Sequence, residues 1–334
     1  MNTMNAKKNR ILFLSAQDVR QVLTMHDCID TMQDAFAELA SGRAMVPLRS
    51  TLAMPDENGR ALFMPVYLPN IQKVGLKSVT IHQDNAGKGL PLIHAMVMVF
   101  DASTGEPLAV MDGEVITAMR TGAVSGLATK YLARANAEIA AIFGAGVQGE
   151  TQLEAVCAVR AIKRAYIFNR NAERKAAFIK KMQAKLGIEI IAAESMHVLS
   201  QADIICAATT STTPVFKDAD IGAGVHINGV GSYRPDMCEI PPETMGRAKI
   251  VVDQMGACLS EAGDILQPIE QGLFAKEYIY GELGEVVTGM KGARAGEDEI
   301  TVFKSVGLAV QDLATADLVL TQARKLGLGS EVAL

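Results

Sequence analysis

The sequence predicts an α/β protein, a doubly wound parallel sheet joined to a separate α+β unit. Three observations predict it. From Glu138 onward, short apolar runs alternate with longer helical stretches, the rhythm of strands buried on both faces and crossed over by helices. A glycine-spaced turn, Gly144-Ala-Gly146-Val-Gln-Gly149, lies between the first of those runs and the helix that follows. Residues 1–130 show no such rhythm and read as two helices followed by turn-punctuated strands.

The apolar run Ile11–Leu14 reads as a short strand. Ser15-x-x-Asp18 and Thr24-x-x-Asp27 are capping patterns that open two helices. The second helix carries Ile29, Met32, Phe36 and Leu39 on one face and stops at Gly42. Strands are expected over 50–54, 61–68, 74–81, 93–100 and 108–111, with a turn at 101–107. Together these predict a largely antiparallel sheet. The alternating half follows with strands at 138–143, 165–168, 188–192, 203–207, 225–230 and 250–253. Helices are expected at 147–159 and 172–186, with a short one at 196–201. Thr301 to Leu326 reads as one closing helix, with Val302, Val306, Val310, Leu313 and Leu320 on its apolar face. Arg324, Lys325 and Gly327 suit its C-terminus.

Composition excludes several classes of function. The 334 residues are 49% hydrophobic and 21% charged, with a net charge of −5 and no basic stripe, which argues against nucleic acid. No apolar run approaches the roughly 20 residues that span a bilayer. Residues 1–10 are polar and basic but lack the apolar core and cleavage site of a signal peptide. Cys28, Cys157, Cys206, Cys238 and Cys258 are scattered, never C-x-x-C, so a reducing, cytoplasmic location without disulfides is expected. His82, His94, His197 and His226 have no paired spacing, so no metal site is expected, and no G-x-S-x-G is present.

The glycine turn has the chemistry of a dinucleotide site. Gly144 makes the tight turn, Gly146 lets a pyrophosphate approach backbone N–H groups, and Gly149 allows close helix packing, with Val147 and Gln148 between them. Beyond the second strand of this Rossmann-type unit, the place of the ribose-gripping acid is taken by Asn169-Arg170, with Arg174 nearby. A guanidinium without a carboxylate suits the 2′-phosphate of NADP, so NADPH is expected over NAD. Thr209 and Val230, at two later strand ends, complete the expected cofactor set.

Three cations stand where solvated charge is out of place. Arg49 follows Val-Pro-Leu, Lys77 interrupts an apolar strand, and Arg120 lies in an otherwise uncharged helical stretch. Cations amid apolar residues call for an anionic partner, and a substrate carboxylate would serve as well as an internal ion pair. Asp236 lies just past a strand end, where ligands sit in such sheets.

At these residues the chain resembles the ornithine cyclodeaminase/μ-crystallin family over nearly its whole length. The matching stretches are 75–79 (Gly-Leu-Lys-Ser-Val), 89–91 (Gly-Leu-Pro), 117–123 (Thr-Ala-Met-Arg-Thr-Gly-Ala), 144–149, 231–239 and 281–286 (Gly-Glu-Leu-Gly-Glu-Val). The resemblance implies a Rossmann domain over 131–304. It also implies an α+β dimerisation and substrate domain formed by 1–130 with 305–334, a homodimer, and a substrate cleft between the two domains. Arg49, Lys77 and Arg120 would bind the substrate carboxylate, Asp236 would be the acid/base residue, and Lys77 would assist it.

Within the family, the cyclodeaminases carry Pro-Gly-Lys after the catalytic Asp, where this chain has Met237-Cys-Glu239. They also keep an acid where Asn169-Arg170 stands. Leu92 replaces a small polar residue that relatives often carry. The resemblance therefore implies the ketimine reductase branch: NADPH-dependent reduction of Δ1-pyrroline-2-carboxylate or Δ1-piperideine-2-carboxylate to the L-amino acid. The alternatives are an ornithine cyclodeaminase with bound NAD, an alanine-type dehydrogenase acting on a 2-oxo acid, and a non-catalytic NADPH-dependent binding protein.

Overall fold

The computed structural model of the chain describes residues 10–333, and the polar stretch at 1–9 lies outside them. The chain begins with β1 (Arg10–Leu14), α1 (Ala16–Val22) and α2 (Met25–Ala40). Ser15 and Asp18 form a full capping box on α1, and the Thr24 side chain caps α2. Then come β2 (Ser50–Met54), β3 (Gly59–Leu68), β4 (Lys73–His82), β5 (Ile93–Asp101) and β6 (Pro107–Asp112). The long helix α3 (Gly113–Leu132) closes this half.

The second half runs β7 (Ile139–Phe143), α4 (Val147–Val159), β8 (Arg164–Phe168), α5 (Ala172–Leu186), β9 (Glu189–Ala192), β10 (Ile204–Ala207) and β11 (His226–Gly229). It continues through α6 (Pro242–Met245), β12 (Lys249–Val252), α7 (Met255–Glu261), α8 (Gly263–Glu270), β13 (Gly281–Glu282) and α9 (Leu283–Val287). β14 (Thr301–Lys304), α10 (Ala309–Leu326) and β15 (Ser330–Ala333) complete the chain.

The strands make two sheets. The first has the order β15-β1-β6-β5-β4-β3-β2 and is antiparallel except where β1 pairs with β6. The second is an eight-stranded, wholly parallel sheet, β13-β12-β14-β11-β10-β7-β8-β9. The chain order reverses beside β7, with β8 on one side and β10 on the other, and such a switch point is where open parallel sheets bind ligands.

Two helices tie the sheets together. α3 is buried on nearly every side, so it has almost no amphipathic signal and packs against neighbours all round. A Cβ on Gly122 would lie 2.5 Å from the Thr151 carbonyl, so glycine is what lets α3 and α4 touch backbone to backbone. α10 leaves the parallel sheet and crosses to the first one, where Leu313 presses on Gly75 of β4. Leu127 and Leu313 are both fully buried; truncating either to alanine costs about 2–5 kcal/mol.

One expectation is corrected. Thr301 to Leu326 is not a single helix: Thr301–Lys304 is the central strand β14, flanked by β11 and β12. A strand buried on both faces shows no alternation, so Val302 mimics a helical position. Gly307, at φ +81°, takes a left-handed conformation that breaks any helix between β14 and α10.

Candidate active site

The glycine turn sits at the C-terminal end of β7, at the switch point. Gly144 adopts φ +105°, and a Cβ there would lie 2.5 Å from the Ala208 carbonyl oxygen. A Cβ on Gly149 would lie 1.9 Å from the Gly144 carbonyl oxygen. These two glycines serve packing. Gly146 differs: it is the N-cap of α4, makes no side-chain cap, and a Cβ on it would meet nothing within 4 Å. The first N–H groups of a helix longer than three turns therefore face open space, a cradle with the shape and polarity for a pyrophosphate. Val147, beside it, is 62% exposed, and the Gln148 Oε1 is buried with no partner among the described residues.

This cradle opens into a cleft of about 760 Å³ lined by Gly144, Gly146, Phe168, Asn169, Arg170, Arg174, Thr209 and their neighbours. Phe143 and Phe168 stack at 4.4 Å beneath it. Asn169 Oδ1 accepts from the Ala145 N–H at 3.4 Å, and its amide donates to the Asn171 carbonyl at 2.9 Å, so Asn169 ties the glycine turn to the β8 end. Arg170 and Arg174 are exposed and form no ion pair among the described residues. The donor set thus fits a nicotinamide dinucleotide, and two uncommitted guanidinium groups line the same cleft. Val230, half-buried, follows β11, and its N–H donates to the Ala207 carbonyl.

A second centre gathers all three cations. Lys77 projects from the buried face of β4 and meets Asp312 of α10 at 2.7 Å; the two side chains are 3% and 2% exposed. Arg120, from α3, donates through Nε to Asp312 Oδ1 at 3.0 Å and through Nη1 to Gln311 Oε1 at 2.6 Å. Arg49 donates to the Val306 and Gly307 carbonyls and pairs with Glu261 of α7 at 3.0 Å. The Gly307 backbone lies against the Arg120 guanidinium, where a Cβ would come within 2.6 Å. Asp253 fixes the same loop from its N–H side, accepting from Ser305 Oγ and the Val306 and Gly307 amides.

Burial pushes the Lys77 pKa down to about 8; the Asp312 carboxylate opposes the shift, and the Arg120 charge adds to it. Lys77 therefore stays charged at neutral pH but is poised to lose its proton on the alkaline side. Burial raises the Glu261 pKa against the pull of Arg49.

Asp236 lies apart from these contacts. It is exposed, on the loop after β11, and is held by Arg234 through two hydrogen bonds of 3.0 and 2.8 Å. That loop is closed at its base by Glu239, a residue to which sequence reasoning gave no role. The wholly buried Glu239 carboxylate accepts from the Thr209 N–H and hydroxyl through one oxygen and from the Gly231 and Ser232 amides through the other. Burial, reinforced by nearby Asp264, raises its pKa above the ordinary glutamate range. Asp312 and Glu261 were missed too. The signal for Asp312 was an acid inside an apolar helical face; for Glu261 there was none.

Comparison with known proteins identifies the family and the fold. The model of the ornithine cyclodeaminase/mu-crystallin family matches residues 9–326. A Δ1-pyrroline-2-carboxylate reductase of Bacillus cereus is 40% identical over 324 residues, covering 96% of this chain and 99% of that protein. The structure of the Thermococcus litoralis Δ1-pyrroline-2-carboxylate reductase in complex with NADH and L-proline superposes with a TM-score of 0.93 at 44% identity, covering 96% of this chain and all of that one. An archaeal alanine dehydrogenase dimer with bound NAD gives a TM-score of 0.92 at 33% identity, covering 97% and 99% of the two chains. With the family match running over nearly all of its length, the chain belongs to the ornithine cyclodeaminase/mu-crystallin family.

Proposed function

We propose that this protein reduces a small cyclic imino acid, Δ1-pyrroline-2-carboxylate or its six-membered homologue, to the L-amino acid, with NADPH preferred over NADH. The chain is a nicotinamide-dependent oxidoreductase acting on carbon–nitrogen bonds, and the proposal adds substrate and cofactor preference. The observation that carries it is the convergence of Arg49, Lys77 and Arg120 from β2's approach, β4 and α3 around the Gly307 loop and Asp312. Such a cluster can grip one carboxylate from several sides. The relatives that reduce Δ1-pyrroline-2-carboxylate support the ring.

The α4 N-terminus would hold the pyrophosphate of a reduced nicotinamide dinucleotide, which would supply the hydride. Every other part of the step belongs to the chain. Arg49, Lys77 and Arg120 hold the substrate carboxylate, which fixes the adjacent imine carbon and contributes to rate through positioning. Asp236 stabilises the protonated imine nitrogen and relays its proton, on an exposed loop that can exchange protons with solvent. Arg170 and Arg174 take the 2′-phosphate, which gives the NADPH preference. The NADH held by the Thermococcus litoralis relative makes that preference a property to be measured here.

We also assign residues 1–130 with 305–334 to a substrate and dimerisation domain, and 131–304 to the dinucleotide domain. On the sheet face opposite Lys77, Phe63, Ser78 and Met96 form one cross-strand row, with Phe63 and Met96 exposed. An apolar face of this kind suits burial in a homodimer, the state of the alanine dehydrogenase relative. Five unpaired cysteines suit a reducing cytoplasm.

The experiment mixes purified protein, NADPH and Δ1-pyrroline-2-carboxylate and follows the reduced-nicotinamide absorbance, with NADH in parallel. Rapid oxidation that Asp236→Ala abolishes supports the reading. Parental rates in that variant, or no oxidation of either cofactor, would overturn it.

A further inference from the structure

Arg120 is held at two of its three guanidinium nitrogens. Nε donates to Asp312 Oδ1 at 3.0 Å, and Nη1 donates to Gln311 Oε1 at 2.6 Å. The two acceptors are consecutive residues in the first turn of α10, which begins two residues after Gly307. The Gly307 backbone closes one flank, since a Cβ there would lie 2.6 Å from Nη1 and 2.9 Å from Nη2. A planar guanidinium tethered at one nitrogen can swivel about that contact; tethered at two, its plane is fixed. Nη2 makes no hydrogen bond among the described residues, and 7% of the side chain stays open. Arg49 follows the same plan. Val306, Gly307 and Glu261 all take its Nη2, which leaves Nε and Nη1 uncommitted among the described residues.

We propose that Gln311 is a positioning residue: it fixes the plane of Arg120 so that Nη2 is the nitrogen presented to the substrate carboxylate. The proposal rests on the carboxylate-clamp reading above and adds a residue to which that reading gave no role. The wholly buried amide can face Arg120 only with its oxygen, because a guanidinium has donors and no acceptor. Its N–H2 group is therefore turned away, and it has no partner among the described residues. An amide oxygen also holds the guanidinium without adding negative charge beside Asp312, so Arg120 keeps its pull on an anion. Asp312 does not fix the plane by itself, since it engages only Nε of Arg120 and also pairs with Lys77. With the Gln311 oxygen withdrawn, Arg120 would stay paired but would be free to turn about its Nε contact. The substrate carboxylate would then meet a guanidinium of unfixed direction.

The test titrates pyrrole-2-carboxylate, a planar monocarboxylate, calorimetrically into the NADPH-loaded enzyme. Gln311→Met keeps the bulk without the acceptor, and Gln311→Asn draws the oxygen back by one methylene. Each should weaken the ligand roughly three- to tenfold. The KM for Δ1-pyrroline-2-carboxylate should rise to match, with the KM for NADPH unchanged. In an Arg120→Met background Gln311→Met should have no further effect, because the residue acts through Arg120. Thermal melts identify the folded variants, and Gln311→Asn carries the same reading if Gln311→Met does not fold. Parental affinity in a folded Gln311 variant overturns the proposal and leaves the clamp reading intact. A loss that persists undiminished in the Arg120→Met background overturns it too. Parental affinity in Arg120→Met sinks the clamp reading itself, and the proposal with it.

Discussion

Lys77 and Asp312 meet at 2.7 Å although 235 positions separate them in the chain, one on a strand of the first sheet and the other on the helix that returns from the second. The pair exists only because α10 crosses between the sheets. It holds an ammonium in a site that would otherwise drive it neutral, since burial is the largest influence on Lys77 and Asp312 the largest opposing one. On the proposed carboxylate-clamp role of Lys77, substrate capture and fold stability are linked to one proton.

That link gives opposite pH dependences. In the folded protein Lys77 loses its proton near pH 8, whereas the unfolded chain keeps it to the ordinary 10.5. Between those values unfolding takes up a proton, so raising the pH favours the fold through this group, and the contribution is absent below about 8. Activity moves the other way: kcat/KM for the imino acid should fall as pH rises through about 8, because the clamp loses a charge. Lys77→Arg should carry the alkaline limb beyond pH 10, the range of an unperturbed guanidinium. A limb that stays near 8 in that variant assigns it to another group.

Gly146 and Gly149, three residues apart, should respond differently to alanine. A Cβ on Gly149 collides with the Gly144 carbonyl at 1.9 Å, so Gly149→Ala should destabilise the fold, by about 1–3 kcal/mol as overpacked sites do. Gly146 has extended backbone (φ −106°, ψ −176°) and open space before it. Gly146→Ala should melt like wild type but bind NADPH much more weakly. Thermal melts with and without NADPH separate the two. Unimpaired NADPH binding in Gly146→Ala would remove the pyrophosphate from this turn.

Much of this was legible in the sequence, for identifiable reasons. Helices 147–159 and 172–186 appear with the expected bounds, because glycine or asparagine caps punctuate them. The strands of the first sheet differ from expectation by a residue or two at their ends. What stayed illegible was structure without periodicity. β14 is buried on both faces, β13 is two residues long, and α8 carries Pro268 in its interior. The glycine turn could be read because its chemistry is local. The partners of the three cations could not, since Asp312 and Glu261 reach them only through tertiary folding.

Arg170 and Arg174 should decide between the two nicotinamide cofactors. Both are exposed on the cleft rim and free of ion pairs among the described residues, so removing either breaks no interaction of the fold. A charge-assisted hydrogen bond contributes about 1.5–3 kcal/mol, roughly ten- to a hundredfold in affinity. Arg170→Ala should therefore raise the KM for NADPH by that factor and leave NADH nearly unchanged. An equal loss for both cofactors would mean the side chain stacks on adenine and ignores the phosphate.

Glu239 should matter as a positioning residue, since it is closed to solvent and its carboxylate is taken up by donors of the protein itself. Its two oxygens accept four hydrogen bonds that join Thr209 on the cofactor side to Gly231 and Ser232 at the base of the Asp236 loop. Gln would keep one acceptor and turn an N–H2 toward two donors, leaving a buried conflict of about 1–3 kcal/mol. Glu239→Gln should lower kcat more than it raises the KM for the imino acid, because Arg49, Lys77 and Arg120 are held by other residues. A global packing defect would instead lower the melting temperature and leave the kcat of the folded fraction at the parental value. Active-site titration of that fraction separates the two, and a parental kcat would confine Glu239 to stability.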